Sequence, residues 1–196
     1  MGTENVNANG LSDLREITLD EQTILLSRDA VGDPLTLKKI DLSRCTRLEE
    51  IGDYCFMFAD NLEEVVLPEG LRRIGVTAFK GCRKLKKINI PASVECIDAY
   101  AFKNCTSLTE VDLGQCTRLE ELSVGVFEGA ENLRSVVLPE GMKRLCSRAF
   151  YKCNELDTVK LPSTVVKVGT QLLYWNYEVD WERCVIAVEG TLTNNE

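Results

Sequence analysis

A repeat of 23 to 25 residues runs through most of this chain and constrains its fold more than any other feature. The stretch from Leu62 to Cys82 matches the stretch from Leu85 to Cys105 at an offset of 23 residues. Repeats of this length indicate a solenoid, because one copy cannot bury its apolar face alone and must stack on its neighbours. We call one copy a rung. The sequence therefore predicts one continuous elongated body.

Each rung is predicted to contain the same short elements. A strand with the pattern L-x-x-[IV]-x-[LI] places its apolar residues on one side. A turn, a second extended piece and a brief helical turn carrying an Ala-Phe pair inward follow it. A degenerate rung over residues 14–36 is predicted to cap the N-terminal end, since its Leu26 lies where a later rung has Ile74. Further rungs begin at Leu37, Leu62, Leu85, Leu108, Leu133 and Leu156.

The predicted organisation has three parts. Residues 1–13 form a flexible lead, residues 14–178 a solenoid of seven rungs with degenerate first and last rungs, and residues 179–196 a capping strand and tail. The run from Cys184 to Val188 reads as the closing strand. The aromatic stretch over residues 174–181 is interpreted as part of the cap, because a solenoid needs an atypical terminal unit. The alternative is that these aromatic residues form a binding hot spot.

Two rungs, those beginning at Leu37 and Leu108, carry a longer turn than the others. Residues 41–93 and 112–164 align with 24 identities in 53 positions at an offset of 71 residues. The chain therefore contains two copies of a block of three rungs. We call the rungs that begin at Leu37, Leu62 and Leu85 the first block, and those that begin at Leu108, Leu133 and Leu156 the second block.

The rung consensus resembles the BspA-type leucine-rich repeat family over about residues 14–188. The landmarks in one rung are Leu67-Pro68, Leu71, Ile74-Gly75, Ala78-Phe79 and Cys82. The resemblance implies a leucine-rich repeat solenoid with a parallel β-sheet on its concave face, and with second extended segments and brief helical turns on the other sides. It also implies a scaffold that binds proteins or surfaces, not an enzyme. Members occur in host-associated bacteria and in protists, and many are cell-surface proteins.

Composition argues against several classes of function. The chain has no histidine, which removes Ser-His-Asp and Cys-His catalysis and histidine-based metal sites. Its net charge of −8 disfavours binding to nucleic-acid phosphates. No phosphate-binding glycine loop and no run of 18 apolar residues occurs. We predict a monomeric protein without enzymatic activity, cofactor, metal, nucleic-acid partner or membrane span.

The N-terminal residues are polar and carry neither a basic region nor an apolar segment. This start is not typical of a secretory signal, so the predicted location is cytoplasmic. The alternative is a cell-surface adhesin whose export signal or anchor is missing from this chain.

Nine cysteines are present, and several occupy repeat positions. Cys82, Cys105 and Cys153 share one position at which Ala59 and Ala130 also occur, which predicts small, buried, reduced side chains. A disulfide between adjacent rungs remains the alternative by distance alone. Cys96 takes the place of charged residues in other rungs. We therefore expect it to be exposed, as a neutral substitution or as a redox handle.

The outward residues of the first strands are the predicted binding surface. One row alternates in charge, which indicates ladders of opposite charges that set the register. The other row contains two valines, Val66 and Val137, which could seat a partner or simply favour a strand. An unidentified protein partner is predicted to contact the concave surface through Lys39, Asp41, Glu64, Val66, Lys87, Asn89, Glu110, Asp112, Ser135, Val137, Thr158 and Lys160.

Overall fold

A computed structural model describes residues 22–31, 33–156, 158–172 and the strand at 185–188. The chain winds as a parallel β-solenoid with two columns of strands. The first column holds β2 (Lys39–Asp41), β4 (Glu64–Val66), β6 (Lys87–Asn89), β8 (Glu110–Asp112), β10 (Ser135–Val137), β12 (Thr158–Leu161) and β14 (Val185–Val188). The second column holds β1 (Leu25–Leu26), β3 (Glu50–Ile51), β5 (Arg73–Ile74), β7 (Cys96–Ile97), β9 (Glu121–Leu122), β11 (Arg144–Leu145) and β13 (Lys167–Val168).

The strand register follows the sequence repeat. Val65 of β4 pairs with Ile88 of β6, at the predicted offset of 23 residues. In the second column Leu26 pairs with Ile51, which confirms that the degenerate first rung is in phase with the others. The closing strand β14 pairs in parallel with β12. The leucine-rich repeat solenoid is thus confirmed.

The third side of the solenoid differs from the expected helical turns. Among the described residues, a helix, α1 (Arg28–Val31), and a 3-10 helix at Pro34–Thr36 occur only near the start. In later rungs the backbone takes a positive φ at two places four residues apart, such as Tyr100 and Asn104. These left-handed residues interrupt helical bonding and turn N–H groups towards the next rung.

This third side, which we call the turn side, therefore forms a third ladder of backbone hydrogen bonds, in addition to those of the two strand columns. The N–H of Phe79 donates to the carbonyl of Ala101 at 2.8 Å, and the N–H of Phe102 donates to that of Val126 at 2.9 Å. The rungs are bonded on three sides, so the side chains inside are closely confined.

Five phenylalanine rings form the centre of the core. They are fully buried, and neighbouring ring centroids are 5.1 to 5.9 Å apart. Leucine and isoleucine columns fill the space between these rings and the strands. The stacked rings are Phe56, Phe79, Phe102, Phe127 and Phe150.

The repeat-position cysteines are reduced and buried, as predicted. Their thiols also donate to backbone carbonyls of the preceding rung. The Sγ atoms of Cys82 and Cys105 lie 3.3 and 3.2 Å from the carbonyl oxygens of Phe56 and Phe79. Alanine fills the same space at other rungs but cannot make this bond.

Strand pairing is interrupted where the two blocks meet. Within the blocks, each second-column strand receives backbone bonds from its neighbour; the N–H of Gly75, for example, donates to the carbonyl of Ile51 at 2.8 Å. Among the described residues, no ladder joins β6 to β8 or β7 to β9. The turn side is continuous there, and the rings of Phe102 and Phe127 remain stacked at 5.6 Å. We call this boundary the block junction.

Several predicted segments fall outside the described residues. These are the lead over residues 1–13, the first strand of the degenerate rung and the aromatic stretch over residues 174–181. In the part of the chain that the structure describes, no helix has the length and apolar character needed to cross a membrane.

Candidate binding groove on the strand face

The strand face consists of the outward side chains of the first column. Alternate residues, such as Val65, Ile88 and Val111, point inward and are buried. Their neighbours therefore stand on the outer surface in two rows, because successive side chains of a strand point to opposite sides. One row contains Lys87, Glu110 and Ser135, and the other contains Asn89, Asp112 and Val137.

A groove with a volume of about 400 Å³ lies on this face, across β6, β8 and β10. It crosses the block junction. Its lining residues are Lys87, Ile88, Asn89, Glu110, Val111, Asp112, Ser135 and Val137. Six predicted contact residues are therefore brought together here. The other six do not line the groove; they lie on neighbouring strands and are Lys39, Asp41, Glu64, Val66, Thr158 and Lys160.

The predicted charge ladder is present as ion pairs across rungs. The Nζ atom of Lys87 is 2.5 Å from Oε1 of Glu110, and that of Lys39 is 3.1 Å from Oε1 of Glu64. All four side chains are largely solvent-exposed, so each pair stabilises the fold by only about 0.2–1 kcal/mol. Within the groove, the charges of Lys87 and Glu110 compensate each other.

Asp112 has a local role that sequence reasoning missed. Its Oδ1 accepts a hydrogen bond of 2.8 Å from the N–H of Gly114, and Asp41 accepts one of 2.9 Å from Ser43 in the first block. Such short-range bonds from Asp initiate turns. Hydrogen bonds from the side chain and backbone of Ser43 hold the pKa of Asp41 below its ordinary value. The sequence contained a clue, since Asp occupies this strand position only in the two long rungs.

We expect Asp112→Ala to lower the free energy of unfolding by about 1 kcal/mol, the usual net value of one hydrogen bond. Asp112→Asn keeps a side-chain oxygen that can accept from Gly114 and should stay close to the wild type. Urea denaturation followed by circular dichroism measures both. Equal losses in the two variants would contradict the assigned turn role.

Val137 and Val66 occupy equivalent positions in the two blocks but differ in exposure. Val137 is 47% exposed, whereas Val66 is half-buried. Gly114 lies between Val137 and Asp112: a Cβ at residue 114 would come within 3.2 Å of Val137 Cγ1 and 3.1 Å of Asp112 Oδ1. The first block has Ser43 at this place. Gly114 thus stands at a corner where a carboxylate and an aliphatic side chain lie side by side, so close that a Cβ there would be crowded by both.

A second polar cluster, on the second column, is centred on Arg73. Its guanidinium pairs with Glu50, with Asp53 at 2.9 Å and with Asp98 at 2.5 Å. Burial opposes the charge of Arg73, but these carboxylates outweigh it and raise its pKa. One guanidinium faces three carboxylates, so the cluster as a whole is acidic; because its ion pairs join neighbouring rungs, we interpret it as structural.

The expectation that Cys96 is exposed is wrong. Cys96 is half-buried, and its Sγ lies 3.3 Å from Asp98 Oδ1. Burial and the neighbouring Asp98 raise the pKa of its thiol to about 11. Burial and Glu121 do the same for Cys146. Because the thiolate is the reactive form, both side chains are weak nucleophiles near neutral pH. The packing around Asp98 could not be foreseen from the charged residues that take this position in other rungs.

Comparison with known proteins agrees with this architecture. The profile of the BspA type leucine rich repeat region matches residues 9–109 and 49–179, with six copies. The chain belongs to the BspA-type leucine-rich repeat family. No curated protein matches it.

Three solved structures show what this BspA-type chain is similar to. A leucine rich cell surface protein from Faecalibacterium prausnitzii A2-165 is 25% identical with a TM-score of 0.71. A leucine rich repeat protein of T. pallidum is 32% identical with a TM-score of 0.59, and the match covers 67% of this chain and 68% of that one. A leucine-rich repeat protein from Bacteroides ovatus is 24% identical with a TM-score of 0.55, over 75% of this chain and 43% of that one, and supports the fold alone.

The matches also allow the length of the BspA-type chain to be compared with that of a relative. The Faecalibacterium match covers 81% of this chain but only 44% of that protein. The chain therefore spans less than half of the length of that relative.

Proposed function

We propose that this protein is a non-catalytic interaction scaffold that binds a protein partner through the strand face. The groove across β6, β8 and β10 is the observation that carries the proposal. It is open, it combines polar side chains with the exposed Val137, and it lies on the surface that repeat solenoids use for docking.

The raised thiol pKa values and the ion pairing of charged side chains support a non-catalytic role. Burial raises the pKa of the Cys55 and Cys82 thiols well above the ordinary value, and those of Cys96 and Cys146 are also raised. On the strand face the charges of Lys87 and Glu110 compensate each other, and the carboxylates around Arg73 are held by its guanidinium across rungs. Protonated thiols and charges held in ion pairs disfavour nucleophilic and acid–base chemistry at these side chains.

The two blocks supply a matched pair of variants to test the binding face. We expect Val137→Glu to remove specific partners from an affinity capture in extracts of the source cell, because it places a charge inside the groove. Val66→Glu changes the equivalent residue outside the groove and should retain them. Circular dichroism confirms folding of both. A partner set unaffected by Val137→Glu would refute the assigned face.

A second candidate is a cell-surface protein that binds a host or neighbouring cell. The observation that favours it is the similarity to the Faecalibacterium structure, which is that of a leucine rich cell surface protein. Labelling of intact source cells with a membrane-impermeant biotin reagent distinguishes this candidate from a cytoplasmic scaffold. Labelled protein indicates surface exposure, and labelling only after lysis indicates an internal location.

A further inference from the structure

We propose that the groove binds an extended segment of the protein partner that carries an arginine, with the guanidinium on Asp112 and the aliphatic stem on Val137. This inference rests on the proposed function and names the chemistry of the partner. It begins from the charges in the groove. Lys87 and Glu110 neutralise each other at 2.5 Å. Asp112 makes no ion pair with any residue that the structure describes, so its charge is uncompensated there.

The corner at Gly114 defines the shape of the occupant. The Oδ1 of Asp112 and the Cγ1 of Val137 both lie within 3.2 Å of the point where a Cβ of residue 114 would stand. The carboxylate and the aliphatic side chain are therefore neighbours, and a ligand that contacts both must place a cationic head beside an apolar stem. Arginine has both parts, and its planar guanidinium matches a carboxylate in two bonds.

Polar groups beside this corner suit an extended backbone. Ser135 and Asn89 stand on the strands that flank β8, in the two rows that wall the groove. A hydroxyl and a carboxamide can donate to and accept from peptide groups. The groove spans three strands spaced about 4.8 Å apart, which is room for about three extended residues. The central one of these three would be the arginine.

The first block provides an internal control for this assignment. Asp41 accepts a turn bond from Ser43 as Asp112 does from Gly114, but Asp41 lies outside the groove. Its neighbours differ as well, since Ser43 replaces the glycine and Val66 is half-buried. General attraction between an acidic protein and a basic peptide would involve both aspartates, whereas the proposed site involves one.

The test uses the peptide acetyl-Ala-Val-Arg-Val-Ala-amide and the same peptide with citrulline in place of arginine. Binding to the 15N-labelled full chain is followed by amide chemical shifts at peptide concentrations up to 5 mM. We expect saturable shifts at residues 87–89, 110–114 and 135–137. Affinity should fall about tenfold or more with citrulline or in Asp112→Asn, as expected for loss of a charge-assisted hydrogen bond. Asp41→Asn should bind like the wild type.

Several results would overturn the inference. These are equal binding of the two peptides, shifts spread over both blocks, an equal effect of Asp41→Asn and Asp112→Asn, or no saturable shift up to 5 mM. If Val137→Glu removes captured partners while Asp112→Asn does not, the strand-face function stands and the arginine assignment fails. If neither variant alters capture, the proposed function itself fails.

Discussion

Replacing Phe102 with alanine is expected to lower the free energy of unfolding by about 3–5 kcal/mol, the usual cost of removing a buried phenylalanine. Phe102 is fully buried, and its ring stacks on Phe79 at 5.3 Å and on Phe127 at 5.6 Å. It also stands at the block junction, where the strand ladders are interrupted. The ring is therefore one of the main contacts between the blocks.

The same substitution should separate the unfolding of the two blocks. The stability of a solenoid is approximately a sum of rung stabilities and nearest-neighbour interfaces, so weakening one interface lowers cooperativity there. We expect hydrogen exchange in urea, read by mass spectrometry, to show different midpoints for residues 62–82 and 133–153 in Phe102→Ala.

Phe79→Ala is the matched control for this effect. Phe79 is equally buried, but β4 and β6 pair beside it within the first block. It should cost a similar free energy without separating the midpoints of the two blocks. Phe102→Leu keeps most of the volume and should cost less than about 1.5 kcal/mol. A loss below about 1 kcal/mol in Phe102→Ala would contradict the closed phenylalanine column.

The period of the repeat was sufficient to predict the strand columns and their register. Leu26 lies in a rung with few landmarks, and it still pairs with Ile51 as its phase in the repeat predicts. The register of a strand is kept even where landmark residues are substituted, because a slip by one residue would turn every buried side chain outward. The inward stacking of the Ala-Phe pair was predicted for the same reason.

The hydrogen-bond ladder on the turn side could not be predicted from the period of the repeat. Bulky residues such as Tyr54, Thr77 and Arg148 adopt positive φ, which L-residues rarely do. The sequence contains one clue to this backbone conformation, since the equivalent position of another rung is a glycine, Gly125. The three bulky residues give no local sign of this backbone, because the bonding between rungs imposes it.

The groove depends on local features that the repeat consensus does not contain. The pattern marks outward residues equally on every strand, and so it predicted twelve contact positions without ranking them. The interruption between β6 and β8, the exposure of Val137 and the corner at Gly114 distinguish six of those positions. These are properties of one boundary between rungs, and the repeat consensus does not predict them.

Stability is expected to fall steeply as pH rises above about 9, because buried thiols resist ionisation. Burial raises the pKa of Cys55, and burial together with the neighbouring Cys105 thiol raises that of Cys82. In the unfolded chain these thiols lose their protons near the ordinary value of 9.0. Above that pH the unfolded state binds fewer protons than the folded state, so the free energy of unfolding decreases with rising pH.

The slope approaches about 1.4 kcal/mol per pH unit for each such thiol, or about 3 kcal/mol per unit for Cys55 and Cys82 together. Urea denaturation at several pH values between about 8 and 11, in the presence of a reductant, measures it. Cys82→Ala is the matched variant, because Ala59 and Ala130 fill the same buried position in other rungs. Its slope should be smaller than that of the wild type by about 1.4 kcal/mol per pH unit. Identical slopes in the two proteins would show that the Cys82 thiol does not control the alkaline loss.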